Sequence, residues 1–155
     1  MDIRRLLSKL TVEEKAALVS GTDFMDTNPI LRLGIPSLHM SDGPHGLRVQ
    51  TEGGDNGVTD SLPATAFPTA ATVASGWNPE NSYRIGEAIG KEAHRYGIHV
   101  VLGPGANIKR NPTAGRNFEY FSEDPLLAGK MAAAEVNGIQ SRGVGVSVKH
   151  FALNN

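Results

Sequence analysis

The chain has no cysteine, so it can form neither a disulfide nor a thiolate metal site, a composition that fits a reducing compartment. It also lacks a long hydrophobic run. No stretch approaches the roughly 18 apolar residues of a membrane-spanning helix, and the opening Met1-Asp-Ile-Arg-Arg-Leu-Leu7 has no apolar core of signal-peptide length. No membrane partner is therefore expected, and the default location is cytoplasmic. An excess of positive charge is missing as well. Fifteen Lys and Arg stand against sixteen Asp and Glu, a net charge of -1, and no basic run is interleaved with the few aromatics. A nucleic-acid partner has no electrostatic basis on such a surface.

Several catalytic and cofactor signatures are absent too. The five histidines (His39, His45, His94, His99, His150) show neither His-x-x-x-His nor His-Glu spacing for zinc. There is no Gly-Lys-Ser/Thr phosphate loop and no Gly-x-Ser-x-Gly elbow. Gly103-Pro104-Gly105-Ala106-Asn107-Ile108 follows a strand-like run, yet Ile108 stands where a dinucleotide fingerprint needs its third glycine and Pro104 removes an amide. No metal or cofactor is expected.

What is present is a soluble composition, 39% hydrophobic over 155 residues, with 18 glycines and 9 prolines spread between periodic segments. That length suits one ordinary domain. Thr11-Val-Glu-Glu14 has capping-box spacing, so a short helix is predicted from there to Gly21. Residues 22–35 read as loop, and Ile35 to Pro44 as a first strand with Asp42 at its tip. From Val49 to Pro63, through Gly53-Gly54-Asp55-Asn56-Gly57, the chain has no periodicity and reads as a mobile loop over whatever Asp42 faces. Asn78-Pro79-Glu80 supplies an N-cap, a proline at the first helical position and an acid in the first turn. Ile85, Ala88, Ile89, Ala93 and Tyr96 then recur at helical spacing up to Gly97. Ile98–Leu102 is a second strand. Asp124-Pro125 opens another helix, with Ala128, Ala132, Val136 and Ile139 on one stripe and Leu127 with Met131 beside it. Val144, Val146 and Val148 form a third strand, broken by Lys149 and His150.

Strands alternating with helices, with short helix-to-strand turns and long strand-to-helix loops, indicate parallel βα units whose chemistry collects at the strands' carboxyl ends. The asymmetry points to the first three or four βα units of a (β/α)8 barrel, a fold that needs about 250 residues, so the chain reads as truncated. The polar residues past each strand are Asp42 and Arg48, then Arg116 and Glu119, then Lys149 and His150. Such donors beside one carboxylate suit the hydroxyls of a sugar; phosphate is the competing ligand. On position alone, Lys149 lying along apolar surface and His150 capping a loop would serve equally well.

Five segments in order, Leu10-Thr-Val-Glu-Glu-Lys15, Met40-Ser-Asp-Gly-Pro-His-Gly-Leu-Arg48, Gly103-Pro-Gly-Ala-Asn-Ile108, Gly115-Arg-Asn-Phe-Glu-Tyr-Phe-Ser-Glu-Asp-Pro125 and Val148-Lys-His-Phe-Ala152, together resemble the N-terminal barrel of the family 3 glycoside hydrolases, the β-glucosidase group. The resemblance runs from about Leu10 to Asn155. It implies that Asp42 binds hydroxyls of the glycosyl ring in the −1 subsite, that Arg48 helps hold that carboxylate, and that Arg116 contacts the ring. It further implies that Lys149 and His150 donate to the middle hydroxyls, with Glu119 as an internal partner of a basic residue. The family's nucleophile is an aspartate on a later strand and its acid/base a glutamate in a second domain; neither has a counterpart here. Retaining glycosidases need two carboxyl groups about 5–5.5 Å apart. The whole of residues 1–155 is thus expected to be the N-terminal part of the barrel domain of a β-glucosidase-like enzyme. It would supply glycone-binding residues for a β-glycoside or oligosaccharide substrate and be inactive without the rest of the barrel. A non-catalytic sugar-binding module, a β-xylosidase-like specificity and a phosphate-binding βα domain are the alternatives.

Overall fold

The structure is a computed structural model that describes residues 2–51 and 61–154. Of the loop expected from Val49 to Pro63, residues 52–60 lie outside the described residues; its described ends pair, with the Leu62 amide on the Val49 carbonyl at 2.8 Å, and Val49 is buried in the core rather than in a mobile loop. The chain divides into two compact units, residues 1–40 and 41–155.

The first unit holds helices α1 (Ile3–Leu7) and α2 (Val12–Ser20) and a 3-10 turn, Leu31–Leu33. The capping box expected at Thr11 is formed: the Glu14 amide donates to Thr11 Oγ1 at 3.2 Å, and the Thr11 amide to Glu14 Oε2 at 2.9 Å. The same carboxylate accepts from Arg32 Nε at 2.6 Å. The Glu14 side chain therefore satisfies the helix end and also ties it to the 3-10 turn. That turn, and α1, were not legible as periodic segments because each is a single turn or so with no repeat to read.

The second unit is α/β. Its elements are β1 (Met40–Asp42, whose first residue closes the preceding unit), α3 (Ala70–Ser75), α4 (Pro79–Arg95), β2 (Val100–Leu102), α5 (Pro125–Gln140) and β3 (Gly145–Val146), with a 3-10 turn at Asn117–Glu119. The strands form one sheet in the order β1-β2-β3, and β2 pairs with β3 in parallel, Val101 opposite Val146. The regular strands are shorter than their apolar runs. Hydrogen bonding nonetheless continues past β3, with Ser147 donating to the Val101 carbonyl at 2.9 Å and Lys149 to the Pro104 carbonyl at 3.0 Å.

Both proline-led helices begin as expected. Asn78 accepts from the Glu80 amide at 3.0 Å, and Asp124 from the Leu126 amide at 2.8 Å. Their apolar stripes meet the sheet: Ile89, Ala93, Ile98, Val101, Ile139 and Val144 form one core with Leu47 and Val49, and Ile85 and Tyr96 are packed against it. Each fully buried isoleucine there is worth about 1.5–3 kcal/mol relative to exposure. A second core joins Met131, Ala128 and Ala132 of α5 to Ala70 and Ala74 of α3 and to Phe121. The periodicity argument did not disclose why α4 and α5 lie so close. A Cβ on Gly86 would meet the Glu135 carbonyl oxygen at 2.3 Å, and one on Gly138 the Tyr83 carbonyl oxygen at 2.2 Å. The two helices therefore touch backbone to backbone at glycines. Ser82 adds a buried hydrogen bond to the Met131 carbonyl at 2.9 Å.

Candidate functional site

The polar residues gather where the strands end. Asp42 is the last residue of β1, and the chain turns back at once, with the Arg48 amide donating to the Asp42 carbonyl at 2.8 Å. Lys149 is fixed on the other side of β2 by its own backbone, its amide on the Pro104 carbonyl and its carbonyl taking the Ala106 amide at 2.8 Å. From there its ammonium reaches Asp42 Oδ1 at 2.7 Å. The Lys149 side chain is 17% exposed and that of Asp42 46%, so the carboxylate is held from within while its outer side faces solvent.

This arrangement differs from the expected one. Arg48 was to hold the Asp42 carboxylate, but Lys149 does so; Arg48 meets Asp42 through the backbone and its residue is exposed. The reason lies in the geometry of the turn. An antiparallel bridge between residues 42 and 48 fixes their main chains side by side and leaves the near face of Asp42 to Lys149, which follows β3.

Arg116 and Glu119 form the second half of the cluster. Arg116 Nε donates to Glu119 Oε1, and the Glu119 side chain is only 7% exposed. The hydrogen bond to Glu119 holds the guanidinium above even its usual high pKa, so it is charged under all working conditions. The internal partner implied for Glu119 is thus Arg116. The other end of the guanidinium, Nη2, lies 2.7 Å from His150 Nε2.

A guanidinium can only donate, so His150 Nε2 accepts and the ring proton sits on Nδ1. Nδ1 then donates to Tyr120 Oη at 2.8 Å, where Asn154 also donates at 2.6 Å. Asn107 brackets the His150 backbone, taking its amide and giving Nδ2 to its carbonyl at 3.0 Å. Desolvation first, then the Arg116 and Lys149 charges, push the His150 pKa down, so the ring is neutral near pH 7. Both ring nitrogens are engaged within the protein. His150 therefore orients Arg116 in this arrangement, where the resemblance implied a direct donor to a hydroxyl.

Two cavities border these residues. One of about 610 Å³ is lined by Asp42, Arg48, Glu119 and Phe118 together with residues 61–66. A smaller one of about 240 Å³ lies along Asn107, Lys149 and His150. Sequence reasoning missed Asn107 and Tyr120 as supports of His150. Both lie inside segments singled out for the resemblance, but an amide or a buried phenol carries no charge to draw attention. The most perturbed carboxyl is elsewhere: Glu135 of α5 is pushed up to about 8 by burial alone, and its Oε1 has no hydrogen-bond partner among the described residues. It lies against Gly86 of α4, in the helix layer. Among the described residues no group of three or more His, Cys, Asp or Glu is disposed to hold a metal, and no helix is long and apolar enough to cross a membrane.

Comparison with known proteins places this chain in a family of glycosyl hydrolases. Residues 30–154 match the model of the glycosyl hydrolase family 3 N terminal domain, and the chain belongs to that family. It is 53% identical to thermostable beta-glucosidase B of Acetivibrio thermocellus over an alignment of 156 positions that covers 100% of this chain and 21% of that protein. It is also 53% identical over 148 residues to an exo-alpha-(1->6)-L-arabinopyranosidase of Bifidobacterium longum, covering 94% of this chain and 20% of that protein. Among solved structures, beta-glucosidase 3B from Thermotoga neapolitana in complex with alpha-D-glucose superposes over the whole chain, with a TM-score of 0.89 and 42% identity, covering 24% of that structure. The chain thus spans about a fifth of the length of the curated relatives it matches.

Proposed function

We propose that the protein acts as part of a retaining β-glycosidase of the β-glucosidase type, hydrolysing terminal non-reducing β-D-glucosyl residues, and that this chain contributes the glycone-binding residues of the −1 subsite. In this reading the parallel β2–β3 pair and its flanking helices are the opening βα units of a (β/α)8 barrel. The observation that carries it is the pairing of Asp42 with Lys149 beside the Arg116–Glu119–His150 group, at the ends of adjacent strands. Asp42 offers its outward oxygen to ring hydroxyls, Lys149 holds that carboxylate in place from within, and Arg116 presents donors of fixed orientation. Arg48 reaches the same cavity as Asp42. His150 serves by aiming Arg116.

The chemistry available to these residues is binding. Asp42 and Glu119 are each already engaged by a cation, Asp42 by Lys149 and Glu119 by Arg116, which suits them to accept hydrogen bonds and hold the cluster together. Neither the attacking carboxylate nor the acid that a retaining mechanism requires is supplied by the cluster, so the chain alone is expected to leave a nitrophenyl β-glucoside uncleaved.

The arabinopyranosidase relative gives a second reading weight, because it is as similar to this chain as the β-glucosidase is. Calorimetric titration of the chain with glucose, L-arabinose and inorganic phosphate separates the readings. Glucose is expected to bind best. A preference for L-arabinose would move the specificity, and binding of phosphate alone would overturn the sugar site.

A further inference from the structure

His45 has no part in the cluster described above, yet its surroundings are specific. It sits between Gly43 and Gly46, whose φ angles are +142° and +132°; a Cβ on Gly46 would meet the Thr65 carbonyl oxygen at 2.1 Å. The turn after Asp42 is therefore pressed onto the chain around Thr65, and His45 fastens it there. Its carbonyl accepts from the Phe67 amide at 2.8 Å. Its ring Nε2 accepts from the Ala70 amide at 3.0 Å. Ala70 is the first residue of α3, and the Thr69 side chain makes no capping bond, its hydroxyl lying 3.0 Å from that of Thr72 instead. The imidazole thus supplies the cap that the sequence-local residue withholds. The ring edge also meets Phe118, centroids 6.2 Å apart, in the 3-10 turn between Arg116 and Glu119.

We propose that His45 is a positioning residue for the strand-tip cluster, its neutral ring joining the turn that carries Asp42 to the start of α3 and to the turn that carries Arg116 and Glu119. An amide can only donate, so Nε2 must be unprotonated and the ring proton must reside on Nδ1. Protonation of the ring replaces the acceptor with a second donor and breaks the Ala70 contact. The charged groups facing the ring are Glu119 from the 3-10 turn and Asp42 from β1, which favour the cation, and Lys149 from beyond β3, which opposes it; residues 61–70 contribute no titratable group. Desolvation outweighs them and lowers the pKa below its ordinary 6.5, so the staple is closed at neutral pH and opens as the solution is acidified below that value. The consequence for sugar binding rests on the function proposed above; the positioning itself does not.

Nuclear magnetic resonance on the full chain tests it. The ring nitrogens of His45 are expected to show Nε2 unprotonated at pH 7. As His45 titrates, exchange of the Ala70 amide is expected to accelerate by about tenfold or more, while the Asp42 carboxyl and Arg116 Nε signals move with the His45 midpoint in addition to that of His150. His45→Gln keeps an acceptor without a titration, so it should preserve the Ala70 amide and remove that step; His45→Ala should lose the protection at every pH. Should His45→Ala fail to fold, the wild-type titration and the Gln variant decide. An Ala70 amide and Asp42 and Arg116 signals that stay still through the His45 titration, or the same step surviving in His45→Gln, would overturn the proposal. Glucose titrated in parallel reports on the function separately. Affinity weakened about tenfold by His45→Ala and restored by His45→Gln links the two, whereas a wild type that ignores glucose counts against the sugar site and leaves the resonance data to decide on His45.

Discussion

The α4–α5 layer and the strand-tip cluster are built from opposite materials. The helices meet at Gly86 and Gly138 with no side chain between their backbones and bury Ile89, Ala93, Met131 and Ile139. The cluster is held mainly by polar contacts, Asp42–Lys149, Arg116–Glu119 and the hydrogen bonds that fix His150, with Tyr120 edge-on to the His150 ring. Close packing tolerates no added atom, whereas a charged network tolerates substitution in its fold but not in its function. Stability and binding should therefore separate cleanly between the two regions.

The largest effect is expected in the helix layer. In Gly138→Ala the new methyl meets the Tyr83 carbonyl oxygen, a rigid backbone atom, so α4 and α5 must part. The expected cost is about 3 kcal/mol or more, toward the upper end for overpacked cores, read as a fall in the midpoint of chemical denaturation. An unchanged midpoint would show that the glycine contact is not what sets the helix spacing.

Next comes Glu135, whose Oε1 is buried in the helix layer without a hydrogen-bond partner among the described residues. Burial holds the Glu135 carboxyl neutral up to about 8, against an ordinary value of 4.5. The folded state binds this proton more tightly than the unfolded state, so the group's contribution is intact below pH 4.5 and is lost as pH rises to about 8. Glu135→Gln should remove that loss and stabilise the chain at pH 8 by about 2–4 kcal/mol, with little change at pH 4. Equal effects at both pH values would mean that the carboxyl is solvated.

A smaller effect on stability, with a clear one on binding, is expected for Lys149→Ala. The Asp42 pair is only partly shielded, so its loss should change stability by no more than about 1 kcal/mol, while glucose affinity falls about tenfold as a charged donor is lost and Asp42 is freed to move. A large fall in melting temperature with unchanged affinity would make the pair a structural clip.

Much of this contrast was legible in the sequence. The caps at Thr11, Asn78 and Asp124 and the stripes on α4 and α5 follow from spacing alone, because capping and helical periodicity act within a few residues. Six polar residues past the strands, Asp42, Arg48, Arg116, Glu119, Lys149 and His150, could also be picked out as candidates, since charged groups following an apolar run are conspicuous. What stayed hidden depends on distant partners. Whether Arg48 or Lys149 holds Asp42 is decided by the bridge between residues 42 and 48 and by the register of β3 on β2. The engagement of both His150 nitrogens needs Arg116 and Tyr120, 34 and 30 residues away by number. Helix α3 went unread because its cap is an imidazole from the preceding loop, and the glycine contacts because a missing side chain leaves no pattern.

The central claim is that the strand-tip cluster binds a sugar through Asp42, independently of what holds the helices together. Glucose titrated into wild type and into Asp42→Ala, with both melting curves recorded, tests it most directly. The wild type is expected to bind saturably, the variant to lose at least about tenfold as two hydroxyls lose their acceptor, and the melting temperatures to lie within about 4 °C of each other. Equal glucose affinity in the two proteins, or a variant that melts far lower with its affinity intact, would contradict it.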